Sequence, residues 1–153
     1  MKGLNHENTH LFAIGNSGRQ DDGLGWALAG AIEQRGFFKG KVHYRYQLQV
    51  EDADVVAQAH TVIFVDAFKG FLPQGFSWKP CEPAIEFHFS THAIAPESIL
   101  FLSKDLFGAE PKAFCLLIQG HAWELETGLT LAAKQNLYAA LTFWENLLEI
   151  GKK

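Results

Sequence analysis

The sequence predicts an α/β fold, a three-layer α/β/α sandwich around a mostly parallel, twisted sheet of about five strands. Strand-like and helix-like periodicities alternate along the chain. Two apolar runs, TVIFV (Thr61 to Val65) and AFCLLIQ (Ala113 to Gln119), are continuous, as strands buried on both faces are. The length of 153 residues fits one domain, spanning 1–153, with one well-buried core.

The first strand is Leu11 to Gly15. From Asp22 to about Gln34, Leu24, Leu28, Ala31 and Ile32 recur at the spacing of one helical face, and Gly36 stops the helix. Lys41 to Val50 alternates, with Val42, Tyr44, Tyr46 and Leu48 on one side, and reads as a strand with one polar face. Glu51 to Ala59 reads as a short helix, and Thr61 to Val65 as a buried strand capped by Asp66. Phe68 to Pro83, rich in Gly, Pro and aromatics, reads as an irregular excursion. Glu86 to Phe89 is a candidate strand followed by Ser90-Thr91-His92. Pro96 opens a helix with Ile99, Leu102 and Leu106 on its apolar face. A second buried strand then ends at Gly120. A long helix from about Thr130, striped by Leu137, Leu141, Trp144 and Leu148, closes the chain.

Composition narrows the function classes. Apolar residues are 48 % and charged residues 20 %, as in a globular protein. A net charge of −4 argues against nucleic acid or an anionic membrane as the main partner. No segment is long and apolar enough to span a bilayer, and the polar start MKGLNHENTH has no apolar signal core, so a cytoplasmic location is expected. Cys81 and Cys115 form no CxxC pair: Cys115 reads as a buried small hydrophobe and Cys81 as a loop residue.

Chemistry concentrates where strands end. HLFAIGNSGRQDDGLGWALA, His10 to Ala29, delivers two adjacent acids, Asp21 and Asp22, at a strand-to-helix turn. Gly23 and Gly25 follow directly, although glycine weakens a helix, which implies a close approach to the backbone. In open α/β sheets, ligands bind beyond the carboxyl ends of the strands. Asp22, Asp66 and His92 each follow a different strand. Two carboxylates and an imidazole suit a divalent transition metal. Each also has a simpler reading: Asp22 as a helix-dipole partner, Asp66 as a turn former, His92 as a surface or capping residue. The turn is not a phosphate loop. It contains neither GxGxxG nor GxxxxGK[ST], and two acids would repel a pyrophosphate.

Over nearly its whole length the chain resembles the hydrogenase maturation proteases, the nickel-dependent endopeptidases that trim the large subunit of [NiFe] hydrogenases. The strongest match is to a pattern of roughly GxGNxxxxxDDGxG form, here AIGNSGRQDDGLG from Ala13 to Gly25, with four residues between Asn16 and Asp21. A strand ending in Asp-Ala stands here as VIFVDA, and a Ser-Pro-His segment as Ser90-Thr91-His92. Tyr46-Gln47-Leu48 and LLIQGHAWELETGLT are weaker echoes. Ala13, Thr91 and Thr130 depart from the usual Gly, Pro and Ser.

The resemblance implies that Asp22, Asp66 and His92 bind nickel that arrives with the substrate, the large-subunit precursor. Asp22 and Asp66 are then the catalytic candidates, and Asn16, Gly23 and Gly25 line the substrate cleft. Either a nickel-held water attacks the peptide bond, or an aspartate acts as general base on a free water. A monomer is expected. The alternative is a non-catalytic metal-binding or chaperone module that recognises the precursor without cutting it.

Overall fold

The computed structural model describes residues 3–85 and 94–152. Five strands form one sheet: β1 (Thr9–Ile14), β2 (Lys41–Arg45), β3 (Thr61–Lys69), β4 (Phe76–Pro80) and β5 (Lys112–Gly120), in the order β2-β1-β3-β5-β4. The first three and β5 run parallel, and β4 is an antiparallel edge. Helices cover both faces, so the predicted three-layer α/β sandwich is the observed one.

Each crossover helix buries an apolar stripe against one face. The helices α1 (Leu24–Arg35) and α4 (Leu131–Lys152) share one face. There Leu24, Leu28, Ile32, Leu141, Trp144 and Leu148 pack on Leu11, Ile63 and Val65. On the other face, α2 (Asp52–Ala57) and α3 (Pro96–Phe107) place Val56, Ile99 and Leu100 against Phe12, Val62 and Phe64. Strand β3 is inaccessible from Thr61 to Val65, as its unbroken apolar run requires. Gly36 ends α1 with φ 74°, its N–H donating to the Ile32 carbonyl at 3.3 Å.

Four readings of the sequence change. The strand β3 does not stop at Asp66, because β5 continues to pair with it as far as Lys69↔Gly120. The excursion after Phe68 contains β4, an edge strand whose Lys79 and Pro80 suit an edge and disguise it in the sequence. The inward face of α3 is Ile99, Leu100 and Ser103, while Leu106 is exposed; the Ser103 hydroxyl donates to the Ala53 carbonyl of α2 at 2.6 Å. Strand β2 is shorter than its alternating pattern, ending at Arg45. The candidate strand Glu86 to Phe89 lies outside the described residues.

Candidate functional site

After β1 the chain moves to one side, to β2, and then returns to the other, to β3. The gap between the carboxyl ends of β1 and β3 is therefore a topological switch point, where ligands enter folds of this kind. The loop leaving β1 fills it. Gly15 has φ +146°, and a Cβ there would lie 2.1 Å from the Asp22 carbonyl oxygen, so no other residue fits. The Asn16 N–H donates to that same carbonyl at 3.0 Å, and the Asn16 side-chain oxygen accepts from the Gly18 N–H at 2.8 Å. Asn16 thus shapes the loop that presents Asp22.

A 3₁₀ turn, Gln20–Gly23, follows. With three residues per turn, adjacent side chains leave it about 120° apart, and the doubled acid divides accordingly. Asp21 is fully buried. Its carboxylate accepts from the N–H groups of His121 (2.7 Å), Ala122 (3.0 Å) and Thr130 (2.8 Å), and from the Thr130 hydroxyl (2.8 Å). Burial works to raise its pKa, but these four bonds favour the charged form and hold it below the ordinary value. Asp21 braces the loop between β5 and α4 and has no free valence for a ligand.

Asp22 is half-buried. Burial raises its pKa, against the Asn16 N–H and the positive charges of Arg19 and Lys69. Asp66 stands inside β3, where its carboxylate accepts, among the described residues, from the next N–H, that of Ala67, at 2.8 Å. Burial, with the negative charge of Asp22 added, pushes its pKa up to about 7. The two carboxylates are thus close enough for the charge of Asp22 to raise the pKa of Asp66. That pairing is what a cation would relieve. His92 lies outside the described residues.

Gly23 lines a groove of about 300 Å³ beside the turn, together with Ser17, Trp26, Ala27 and Leu129. Gly25 does something else. A Cβ on it would lie 2.6 Å from the Ile14 carbonyl oxygen and 2.8 Å from that of Val65. The close approach expected at this junction is real, and for Gly25 the approaching group is the sheet's own backbone. Helix α1 must sit directly on the ends of β1 and β3.

The same architecture recurs in solved structures. The hydrogenase maturating endopeptidase HybD from E. coli superposes with a TM-score of 0.71 at 18 % identity, covering 94 % of this chain and 94 % of that one. The [NiFe] hydrogenase maturation protease HycI from Thermococcus kodakarensis KOD1 does so with a TM-score of 0.69 at 19 % identity, covering 96 % and 94 %. This is the fold of the hydrogenase maturation proteases. The endopeptidase HycI from Escherichia coli gives a TM-score of 0.64 at 22 % identity over 90 % of this chain and 91 % of that one. No family profile and no curated protein matches the sequence.

On this maturation-protease fold, several residues around the site escaped the sequence reading. Arg19 donates to the Trp123 carbonyl at 3.2 Å, and the Lys69 ammonium lies 5.2 Å from the Trp123 ring centroid. The two cations and the indole form a rim beside the acids. Thr130 showed only in the GLT run; its partner Asp21 is more than a hundred residues away, and only the fold joins them. Among the described residues no helix is long and apolar enough to cross a membrane.

Proposed function

We propose that the chain is a hydrogenase maturation endopeptidase that removes the C-terminal extension of the nickel-loaded large-subunit precursor of a [NiFe] hydrogenase. The observation that carries this reading is the pair Asp22 and Asp66, carboxylates whose pKa values are both raised, that of Asp66 in part by the charge of Asp22, at the switch point of the maturation-protease fold. Nickel is cargo here: it arrives in the precursor, held by the substrate's own thiolates. Asp22 and Asp66 offer it oxygen ligands, and His92 an imidazole. A chain of this kind works as a monomer in the cytoplasm, where the precursor is assembled.

Asp66 has a second use. With no cation bound, its pKa of about 7 leaves the carboxyl half protonated at neutral pH. Once deprotonated, the Asp66 carboxylate is the group we assign to accept a proton from a water attacking the scissile peptide. The arriving cation drives the same proton off, so cargo recognition and activation are coupled through one group. The groove lined by Gly23, Trp26 and Leu129 receives the extension.

The test is incubation with nickel-loaded precursor, followed by electrophoretic mobility. Loss of the tail is expected with the wild-type chain. Asp22→Asn, Asp66→Asn and His92→Ala should each slow processing by at least about a hundredfold. Tight association without any shift would point to the non-catalytic module, and normal processing by Asp22→Asn and His92→Ala would overturn the site.

A further inference from the structure

Among the described residues one group of metal-capable side chains lies outside the aspartate site. The Sγ atoms of Cys81 and Cys115 and a carboxylate oxygen of Glu97 all lie within 4.8 Å of one another. They come from three elements. Cys81 follows β4 and is pinned by its N–H donating to the Ala113 carbonyl at 2.8 Å. Cys115 stands inside β5, opposite Lys79 and Phe64. Glu97 opens α3, where its carbonyl accepts from the Ala84 N–H at 3.0 Å. We propose that Cys81, Glu97 and Cys115 form a binding site for a thiophilic divalent cation of the zinc class.

The spacing suits such an ion. Bonds of about 2.3 Å to sulfur and 2.0–2.2 Å to oxygen in a tetrahedron separate the donor atoms by roughly 3.5–3.8 Å. The ligands need to close by at most about 1.3 Å, within the reach of side-chain rotation. Two sulfurs and a carboxylate favour zinc over calcium or magnesium, and the fourth position stays open to water. Cys81 is buried and also lines a cavity of about 340 Å³ with Leu100, Pro111 and Phe114, which supplies a route for entry.

Charge favours the same conclusion. All three groups are anionic when ionised. A cation held between them would turn the mutual repulsion of three anionic donors into ligation. A disulfide fits less well. Cys81 continues the β4–β5 register to lie opposite Ala113, making Cys115 its diagonal neighbour. Diagonal Cα atoms stand about 7–8 Å apart, beyond the roughly 4.4–6.8 Å of most disulfides. Nor would a disulfide engage Glu97.

The cation would clip the sheet edge to the first turn of α3. Cobalt(II) titration of the full-length chain, with its thiols reduced, tests the site, because a sulfur-to-cobalt charge-transfer band reports thiolate ligation. One equivalent should produce the band, and one equivalent of zinc should abolish it. Cys81→Ser and Cys115→Ser, each checked for folding by circular dichroism, should lose it. Glu97→Gln should keep the band with affinity lowered by about tenfold or more. The Asp22→Asn/Asp66→Asn double variant should keep it unchanged, which separates this site from the processing site. No band in the reduced wild-type chain, a band that survives both serine variants, or formation of a Cys81–Cys115 disulfide with no cation uptake would overturn the proposal.

Discussion

Replacing Asp21 tests the division of labour within the doubled acid. The carboxylate has no solvent contact and accepts four hydrogen bonds, three of them from backbone N–H groups that have no other acceptor within the turn. Asp21→Ala orphans these donors, and each buried unsatisfied donor costs about 1–3 kcal/mol. Relaxation and entering water recover part of that sum. The expected loss is about 3–5 kcal/mol, a large share of the ~5–15 kcal/mol available to a domain of this size. Asp21→Asn keeps one oxygen but turns an amide donor toward the others, and should lose about 2–3 kcal/mol. Urea unfolding at constant m-value measures both. The sign with pH is fixed by the lowered folded-state pKa. Asp21's contribution is present above the unfolded carboxylate's pKa and is lost as pH falls through the folded one. The wild type and Asp21→Asn should therefore converge in acid. A loss under about 1 kcal/mol for Asp21→Ala at neutral pH, or a gap to Asp21→Asn that does not narrow in acid, would refute the bracing role.

Asp66 behaves oppositely. Its folded pKa is raised from 3.8 to about 7, so the native state holds its proton more tightly, and stability falls as pH rises between those values. Asp66→Asn should be more stable than wild type by up to about 4 kcal/mol at pH 8, with the advantage shrinking toward pH 4 in denaturant titrations, while processing is lost. Gly25→Ala forces a methyl against two backbone carbonyls, and thermal unfolding should show about 1–3 kcal/mol of destabilisation despite the better helix former. Ser103→Ala removes the bond to Ala53 that ties α3 to α2, and should cost about 1–2 kcal/mol in urea titrations with no effect on processing.

What the sequence disclosed follows the physics of each signal. Buried parallel strands announce themselves through unbroken apolar runs, and α1 through Leu24, Leu28 and Ile32 with Gly36 behind them. Edge strands obey weaker rules, so Phe76–Pro80 was hidden among glycines, prolines and aromatics. The end of β3 was misread because Asp66 looks like a terminus, whereas pairing with β5 carries the strand three residues further. Asp22 and Asp66 were legible as acids at strand ends. Their electrostatic coupling was not, nor was the approach of Glu97 to two cysteines 34 residues apart in sequence. Such distances are closed only by tertiary structure. Gly25 shows the converse case: the local signal, a glycine where a helix would prefer alanine, was clear, but the group it makes room for was not.

The brace at Asp21 also sets an order of assembly. Its partners lie 100 to 109 residues further along the chain, in the segment between β5 and α4. A growing polypeptide can form β1, α1, β2 and β3 early, from contacts near in sequence. It cannot fix the turn bearing Asp22 until His121 to Thr130 have been synthesised and folded back. A partly made chain therefore carries an unshaped turn, and Asp22 acquires its direction only when roughly the C-terminal quarter of the protein, from β5 onward, has docked.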